Sequence, residues 1–468
     1  MAKPVFTTGS TMRHVVVMTA TSSVGLVAIF VVDLLNLFCI SLLGQQVLAA
    51  AVGYAATVMF FTVSVSIGLS IAATAVVSRS LGADREREAR GEATVCLLYV
   101  AITTSIVAVA LYPNIPRALA LLGAKGETLE IATHFMRITV PSTPLLGLGM
   151  AFGGLLRATG DARRAMYVTL SGGGVAALLD PILIFGLDLG ITGAGLTTVF
   201  TRVALVLVGW HGTHVVHRML SEPSRAVAGQ TLAPFAWVAV PAIATQLATP
   251  VGNAYVTGVI ATFGDDAVAG WAIVGRVLPV AFGTIFALTG AIGAIIGQNY
   301  GAHLFDRVHR SLKDALVFTM VYVLAVWAIL ALSSDWVVKG FDASGDAAEV
   351  VRFFCLFVAG SFLFNGALFV ANAAFNNLGN AVYATLFNWG RATLGVIPFV
   401  YVGQAYGPQG VLAGWGLGAV VFGVAAVIVA FRVVAKLPER AALEAAAERP
   451  REPPTAHSPF TSGKGAVG

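Results

Sequence analysis

Long apolar runs alternate with short polar, glycine- or proline-containing breaks along nearly the whole chain. They fall near 14–41, 50–79, 90–112, 131–158, 164–187 and 192–215. After a polar stretch from His217 to Thr231 they resume near 232–263, 269–299, 311–333, 351–378, 383–403 and 409–435. A helix needs roughly 20 apolar residues to cross a bilayer, and each run is close to or beyond that length. The pattern predicts an all-α integral membrane protein with twelve transmembrane helices in two pseudo-symmetric six-helix bundles. It divides the chain into an N-terminal bundle (1–216), a linker (217–231), a C-terminal bundle (232–437) and a polar tail (438–468). The tail reads as a short helical extension followed by disorder.

Composition agrees. The 468 residues are 57% hydrophobic and 11% charged, where a soluble domain carries about 25% charged residues. The net charge of +5 is not a nucleic-acid signal, because the basic residues collect in loops between spans. One set of loops and ends holds Arg79, Arg85, Arg87, Arg90, Arg157, Arg163, Arg164, Arg218, Arg225, Arg307, Arg310, Lys313, Lys436 and Arg440. The opposite set holds Arg117, Lys125 and Lys339. The positive-inside rule makes the first set cytoplasmic, with both termini inside and the chain in the plasma (inner) membrane. Cys39, Cys96 and Cys355 lie in apolar runs with neither metal nor disulfide spacing and read as buried free thiols. His211, His214 and His217 end a span beside Arg218 and read as a solvated face. No enzyme motif and no nucleotide-binding loop is present, so neither an enzyme nor an ATP-driven pump is indicated, and no cofactor is implied.

The two halves repeat. Leu42-Leu43-Gly44 pairs with Thr262-Phe263-Gly264, and Ser80-Leu81-Gly82-Ala83 with Asn299-Tyr300-Gly301-Ala302. Ala158-Thr159-Gly160-Asp161 pairs with Asn377-Leu378-Gly379-Asn380, Pro181 with Pro398, and Gly193 with Gly410. Six helices per half is an even number, so both copies cross the bilayer in the same sense. Two such bundles facing one another across a cavity suit alternating access.

Asp33 and Asp180 are the acids that fall well inside spans, both in the first half. Asp33 lies about 12 Å and Asp180 about 10 Å from the outer end of its helix, at 1.5 Å per residue. Their near-equal depth permits a shared site. Their repeat partners are Asn253 and Ile397, so the second half lacks both acids. A carboxylate in the bilayer needs a partner, a water-filled cavity, a cation or a proton. The pair therefore reads either as structural polar contacts or as a proton or cation site, with Thr198 a neutral ligand. Arg202 is deep enough to pair with Asp180 and so to modulate it. Asn36, Met150, Asn253, Arg276, Asn372 and Asn376 are candidates for a cavity wall that meets substrate. Asn365, Asn372 and Asn376 share one helix face, and Arg391 with Asn388 lies in the inner half of its span. Gly172, Gly173 and Gly174 allow a bend ahead of Asp180, and Ser22, Ser23 and Gly25 allow one in helix 1.

Several segments resemble the MATE (multidrug and toxic compound extrusion) family, nearest its DinF-like branch. They are Leu155-Leu156-Arg157-Ala158-Thr159-Gly160-Asp161, Leu179-Asp180-Pro181-Ile182-Leu183-Ile184-Phe185-Gly186, Gly190-Ile191-Thr192-Gly193-Ala194-Gly195 and Gly297-Gln298-Asn299-Tyr300-Gly301-Ala302. The resemblance implies cation-coupled antiport of amphipathic, often cationic, compounds. It implies coupling at Asp33 and Asp180, with Thr198 at the matching helix 6 position. The chain departs from the pattern at Ala176 and Gly153, where the family often has Asn, and has no proline between Thr11 and Ser41. Helix 7 carries Gln246 and Asn253 in place of another branch's glutamate. Fewer neutral oxygens favour H⁺ over Na⁺, although Na⁺ at Asp33 and Asp180 is the alternative ion. The expectation is an H⁺-coupled exporter of small amphipathic compounds, monomeric in the lipid bilayer; the rival reading is a flippase for a lipid-linked or polar lipid.

Overall fold

The computed structural model describes residues 4–42 and 46–447, and the side chains of 31–42, 46, 49 and 444–447 lie outside that description. Among the described residues, eleven helical stretches are long and apolar enough to cross a membrane. Helices dominate because a backbone in hydrocarbon must satisfy its own hydrogen bonds. The spans are α1 (Thr11–Leu42), α2 (Gln46–Gly82), α3 (Glu86–Leu111), α4 (Gly126–Ala158), α5 (Ala162–Gly186), α6 (Gly190–Val216), α7 (Arg225–Ala261), α8 (Asp265–Gly301), α9 (Phe305–Leu332) and α10 (Gly345–Asn377). The eleventh stretch, Ala381–Ala435, folds back on itself at a turn over Gln404–Tyr406. Gly403 meets Gly410, Phe399 meets Gly414, and Gly395 meets Gly418, an antiparallel ladder of backbone contacts. It therefore contains two spans, α11 (381–403) and α12 (Gly407–Ala435), for twelve among the described residues.

α7 begins at Arg225, inside the stretch read as linker. Nothing from Arg225 to Thr231 breaks a helix, and this polar turn docks on α3, where the Tyr99 hydroxyl donates to Ala228 O. The tail begins as a helix over Leu437–Ala447, and residues 448–468 lie outside the described residues.

The repeat is written into the backbone. Positive φ occurs at Asp84 and His303 (57° and 56°), Gly126 and Gly345 (54° and 53°), and Gly160 and Gly379 (83° and 79°). In each pair the second residue follows the first by 219 positions. The 3-10 turn that breaks α4, Val140–Ser142, recurs at the same offset in α10 as Ala359–Ser361.

The bundles meet at the end that carries the described termini. There α2 crosses α8 so closely that a Cβ on Gly82 would lie 2.0 Å from Gln298 O, and one on Gly301 2.0 Å from Arg79 O. Hydrogen bonds follow the same two-fold pattern. Arg79 Nε donates to Asn377 O at 2.9 Å, and Gln298 Nε2 donates to Ala158 O at 2.8 Å. Each bundle thus reaches the end of the other's fourth helix. The apolar cores divide accordingly. Near the seal, Phe6, Val15 and Met18 pack with Leu288, Ile292 and Leu368, and Leu69 and Ala73 pack with Phe235 and Val238. At the opposite end each bundle has its own core, around Ala55, Phe135 and Ile184 in one and Val256, Phe282 and Phe354 in the other. The bundles therefore diverge away from the seal. Tyr54, Phe61, Gly68, Ala75 and Gly82 share one face of α2 at seven-residue spacing. Gly68 touches Ile243 of α7, yet Phe61 one step farther is 53% exposed.

Residues 4–10 strap the seal from outside. The Val5 and Phe6 N–H groups donate to Gln298 Oε1, both at 2.9 Å. Arg307 donates to the carbonyls of Phe6, Thr8 and Gly9. The Phe6 ring is 1% exposed. Beside the strap, Asp161 caps α5: its Oδ1 accepts from Arg164 N at 3.0 Å and its Oδ2 accepts from His217 Nε2 at 2.8 Å. Burial alone would raise the Asp161 carboxyl, but the bonds from His217 and Arg164 outweigh it and hold it well below the usual carboxylate range.

Phe6→Ala is expected to cost about 3–5 kcal/mol, read as a lower thermal midpoint in detergent. Asp161→Asn keeps a capping oxygen and removes the charge, and should cost about 1–2 kcal/mol at neutral pH. A carboxyl depressed in the folded state stabilises fully above its unfolded value, near 4. The midpoint difference between wild type and Asp161→Asn should therefore shrink as pH falls below about 4.

Candidate functional site

Asp180 is the last residue of the regular part of α5 and is 3% exposed. Pro181 follows it. Proline has no N–H and interrupts the helical ladder, and the chain continues as a wide π turn over Pro181–Gly186. The irregularity in α5 therefore lies just beyond the acid, while Gly172–Gly174 stays inside a continuous helix. Gly172 serves packing instead: a Cβ there would lie 2.9 Å from the Leu205 side chain of α6. Gly193 of α6 presses on the π turn, where a Cβ would sit 2.7 Å from the Leu183 carbonyl.

The polar group facing the Asp180 carboxyl is the Thr197 hydroxyl. Neither Asp180 Oδ1 nor Thr197 Oγ1 completes a hydrogen bond, and Thr201 Oγ1, one turn along α6, is also unpartnered. Thr198 donates to Ala194 O of its own helix at 3.0 Å. Sequence spacing offers Thr198; the rotation of α6 about its axis turns Thr197 toward the acid.

Arg202 is committed elsewhere. Its Nη1 donates to Thr139 O at 2.8 Å and to Ser142 Oγ at 2.9 Å. The α4 break shapes that acceptor pair: the Thr143 N–H bonds to Val140 O, and Ser142 Oγ donates to Thr139 O at 2.7 Å, so the two oxygens sit side by side for Arg202. Among the described residues no ion pair joins Arg202 to Asp180.

Asp33 and Asn36 lie on the α1 backbone, but their side chains are outside the described residues. Backbone register still bears on Asp33. Gly25 packs on Thr169 of α5, where a Cβ would meet Thr169 Oγ1 at 2.9 Å. The two helices run parallel, so residue 33 stands level with residue 177, within one turn of Asp180. α1 is continuous through Ser22, Ser23 and Gly25, without a kink-forming break.

The remaining candidates fall into two groups. Asn372 and Asn376 are buried in α10 with unpartnered Oδ1 atoms, as is their neighbour Asn377. Met150 is half-buried, and its carbonyl accepts from Ser70 Oγ at 2.8 Å. Asn253 and Arg276 are exposed. Asn253 shares a face of α7 with Ala239, fourteen residues back, which packs in the core joining the bundles. Arg276, Gly283 and Gly290 likewise share one face of α8. Gly283 lies against Val27 and Phe30 of α1, and Gly290 against the Arg157 guanidinium of α4. Both exposed side chains therefore stand on faces turned toward the other bundle, where the bundles have separated. Arg391 is buried and donates to Thr249 Oγ1 at 3.0 Å.

Sequence reading left Arg157 among loop residues. In the fold it lines a cavity of about 40 Å³ between the bundles, with Ser70, Thr74, Thr289, Asn376 and Asn377. Its place in the Leu155–Asp161 segment was the available signal. No group of three or more His, Cys, Asp or Glu with metal-binding geometry occurs among the described residues.

The MatE family profile matches residues 17–182 and 241–402. The FAD transporter of Shewanella oneidensis is 26% identical over 418 residues, which is 88% of this chain and 92% of that protein. The multidrug export protein MepA of Staphylococcus aureus is 23% identical over 406 residues, 84% of this chain and 87% of that protein. The fold matches the crystal structure of a mutant of the Vibrio cholerae MATE transporter VcmN with a TM-score of 0.86 and 23% identity, covering 91% of this chain and 97% of that one.

Proposed function

The chain belongs to the MatE family of membrane transporters, and we propose that it is a proton-coupled antiporter exporting small amphipathic compounds, with Asp180 and Asp33 as the coupling pair. The observation that carries the reading is the Asp180 carboxyl, buried in a membrane span with one oxygen unpartnered. No described cation pairs with it. Burying an ionised carboxylate without a partner is costly, and a proton or a bound cation removes that cost. The single hydroxyl facing it, Thr197, makes a poor shell for a metal cation but a sufficient neighbour for a protonated acid. The repeat supports a functional role, since the matching position in the second bundle is Ile397 and that bundle folds without an acid there. Coupling at the helix 1 and helix 5 acids is also what the DinF-like resemblance implies.

Orientation follows from the basic loops: the sealed end is cytoplasmic, and the conformation is open to the outside. Protons then enter through the cleft and neutralise the pair. The neutral bundle can repack, break the α2–α8 seal and open inward. Loss of the proton to the cytoplasm restores a charge that substrate loading and the outward-open state accommodate. Each pH unit across the membrane supplies about 1.4 kcal/mol per proton, enough for about a tenfold substrate gradient. The cleft is built from one chain, so a monomer suffices.

In proteoliposomes, an imposed pH gradient should drive transport and an Na⁺ gradient should not. Asp180→Asn and Asp33→Asn should each slow pH-driven flux by at least about tenfold while the protein stays monodisperse. Wild-type flux through a well-folded Asp180→Asn protein would remove the coupling role.

A further inference from the structure

We propose that the compound carried by this cycle bears an anionic group, held by Arg276 while the cleft is open and by Arg157 once the seal parts. The inference rests on the antiport reading above and concerns the sign of the substrate's charge. Three independent features carry it.

The first is the stripe on α8. Arg276, Gly283 and Gly290 recur every seven residues on the face turned toward the N-terminal bundle. Gly283 packs against Val27 and Phe30, and Gly290 rests against Arg157. The α1 contact at Gly283 therefore lies between Arg276 and Gly290, the point on α8 where the Arg157 guanidinium rests, about 21 Å along the helix from Arg276. Arg276 is exposed to the open cleft, whereas Arg157 is enclosed at the seal. Opening the other end would reverse the two exposures.

The second is the lack of counter-charge. Neither guanidinium takes part in a described ion pair. Arg157 Nε has no hydrogen-bond partner, and the cavity beside it is lined by hydroxyls, amides and small residues without a carboxylate. The acids of α8 itself are Asp265 and Asp266, about 15 Å along the helix from Arg276, and Asp314, inside α9, accepts from the Thr11 hydroxyl of α1. A guanidinium away from bulk water without a counterion favours binding of an anion. Its planar fork matches a carboxylate, sulfonate or phosphate through two hydrogen bonds. A cationic compound would be repelled at both stations.

The third is the division of labour between the walls. The proton-binding acids belong to the first bundle, and Arg276 faces them from the second. Phe61, on the cleft face of α2, offers apolar surface to the body of an amphipathic anion. Proton binding and anion binding therefore need not compete for one residue.

Two xanthene dyes separate the possibilities: carboxyfluorescein, an anion, and a cationic rhodamine ester. In proteoliposomes under a pH gradient, wild type should move carboxyfluorescein at least about tenfold faster than the rhodamine. Arg276→Gln should lose at least about tenfold of the anion flux, and Arg276→Lys should recover part of it. Arg157→Gln should also slow the anion, with the proton dependence of the remaining flux unchanged. Thermal midpoints confirm that the variants are folded. If wild type moves the rhodamine and not carboxyfluorescein, or if folded Arg276→Gln moves the anion as wild type does, the charge assignment is overturned and the antiport reading stands. If wild type moves neither dye, both fall.

Discussion

The closest approach between the two bundles is the crossing of α2 and α8, and the rest of the molecule is arranged around it. Gly82 sits on the Gln298 carbonyl and Gly301 on that of Arg79, each where no larger residue fits. Backbones that close exclude water and lipid, so the groups beside them must find partners inside the protein. They do so symmetrically: Arg79 caps the end of α10 and Gln298 the end of α4. Gln298 Oε1 then holds the N-terminal strap. One amide side chain thus links the strap to both bundles. A contact of this kind can break and re-form as a unit, as alternation between two access states requires.

Away from the crossing each bundle keeps a core of its own, and Asp180 is buried in the first bundle. In α5 the helical ladder fails at Pro181, directly after the acid, and the wide turn that follows is pinned by Gly193. The acid is therefore fixed at the edge of an irregular segment, between a regular helix and the packed turn. α4 uses its break differently. The Thr139 carbonyl and Ser142 hydroxyl at that break accept from Arg202, which keeps the guanidinium away from Asp180. Two proline-associated breaks in one bundle thus do different work, one following a buried acid and one immobilising a base.

The comparison with sequence-based expectation is clearest residue by residue. The depth of Asp180 could be counted from its helix end, and the structure buries it in the first bundle. Thr198 was a candidate because of its position, but its neighbour Thr197 faces the acid; a step of one residue turns a helix by 100°, and counting along the chain does not settle rotation. Arg202 is within reach of Asp180 by depth and instead bonds to Thr139 O and Ser142 Oγ at the α4 break, a contact between residues some 60 positions apart that residue spacing does not contain. Arg157 looked like a loop residue from the charge pattern and is part of the seal.

The apolar periodicity by itself determined that the chain is an all-helical membrane protein with scarce charge inside the spans, and the glycine and proline landmarks that its halves repeat. Those properties depend on the cost of exposing polar backbone and charge to hydrocarbon, which is summed along the chain and can be read locally. Only the tertiary structure decided which end closes, which side chains meet there, and which charged groups are left without partners. Those outcomes depend on helix rotation, on approach at individual glycines, and on contacts between residues some 200 to 300 positions apart, such as Gln298 with Ala158 or Val5, which no local pattern contains.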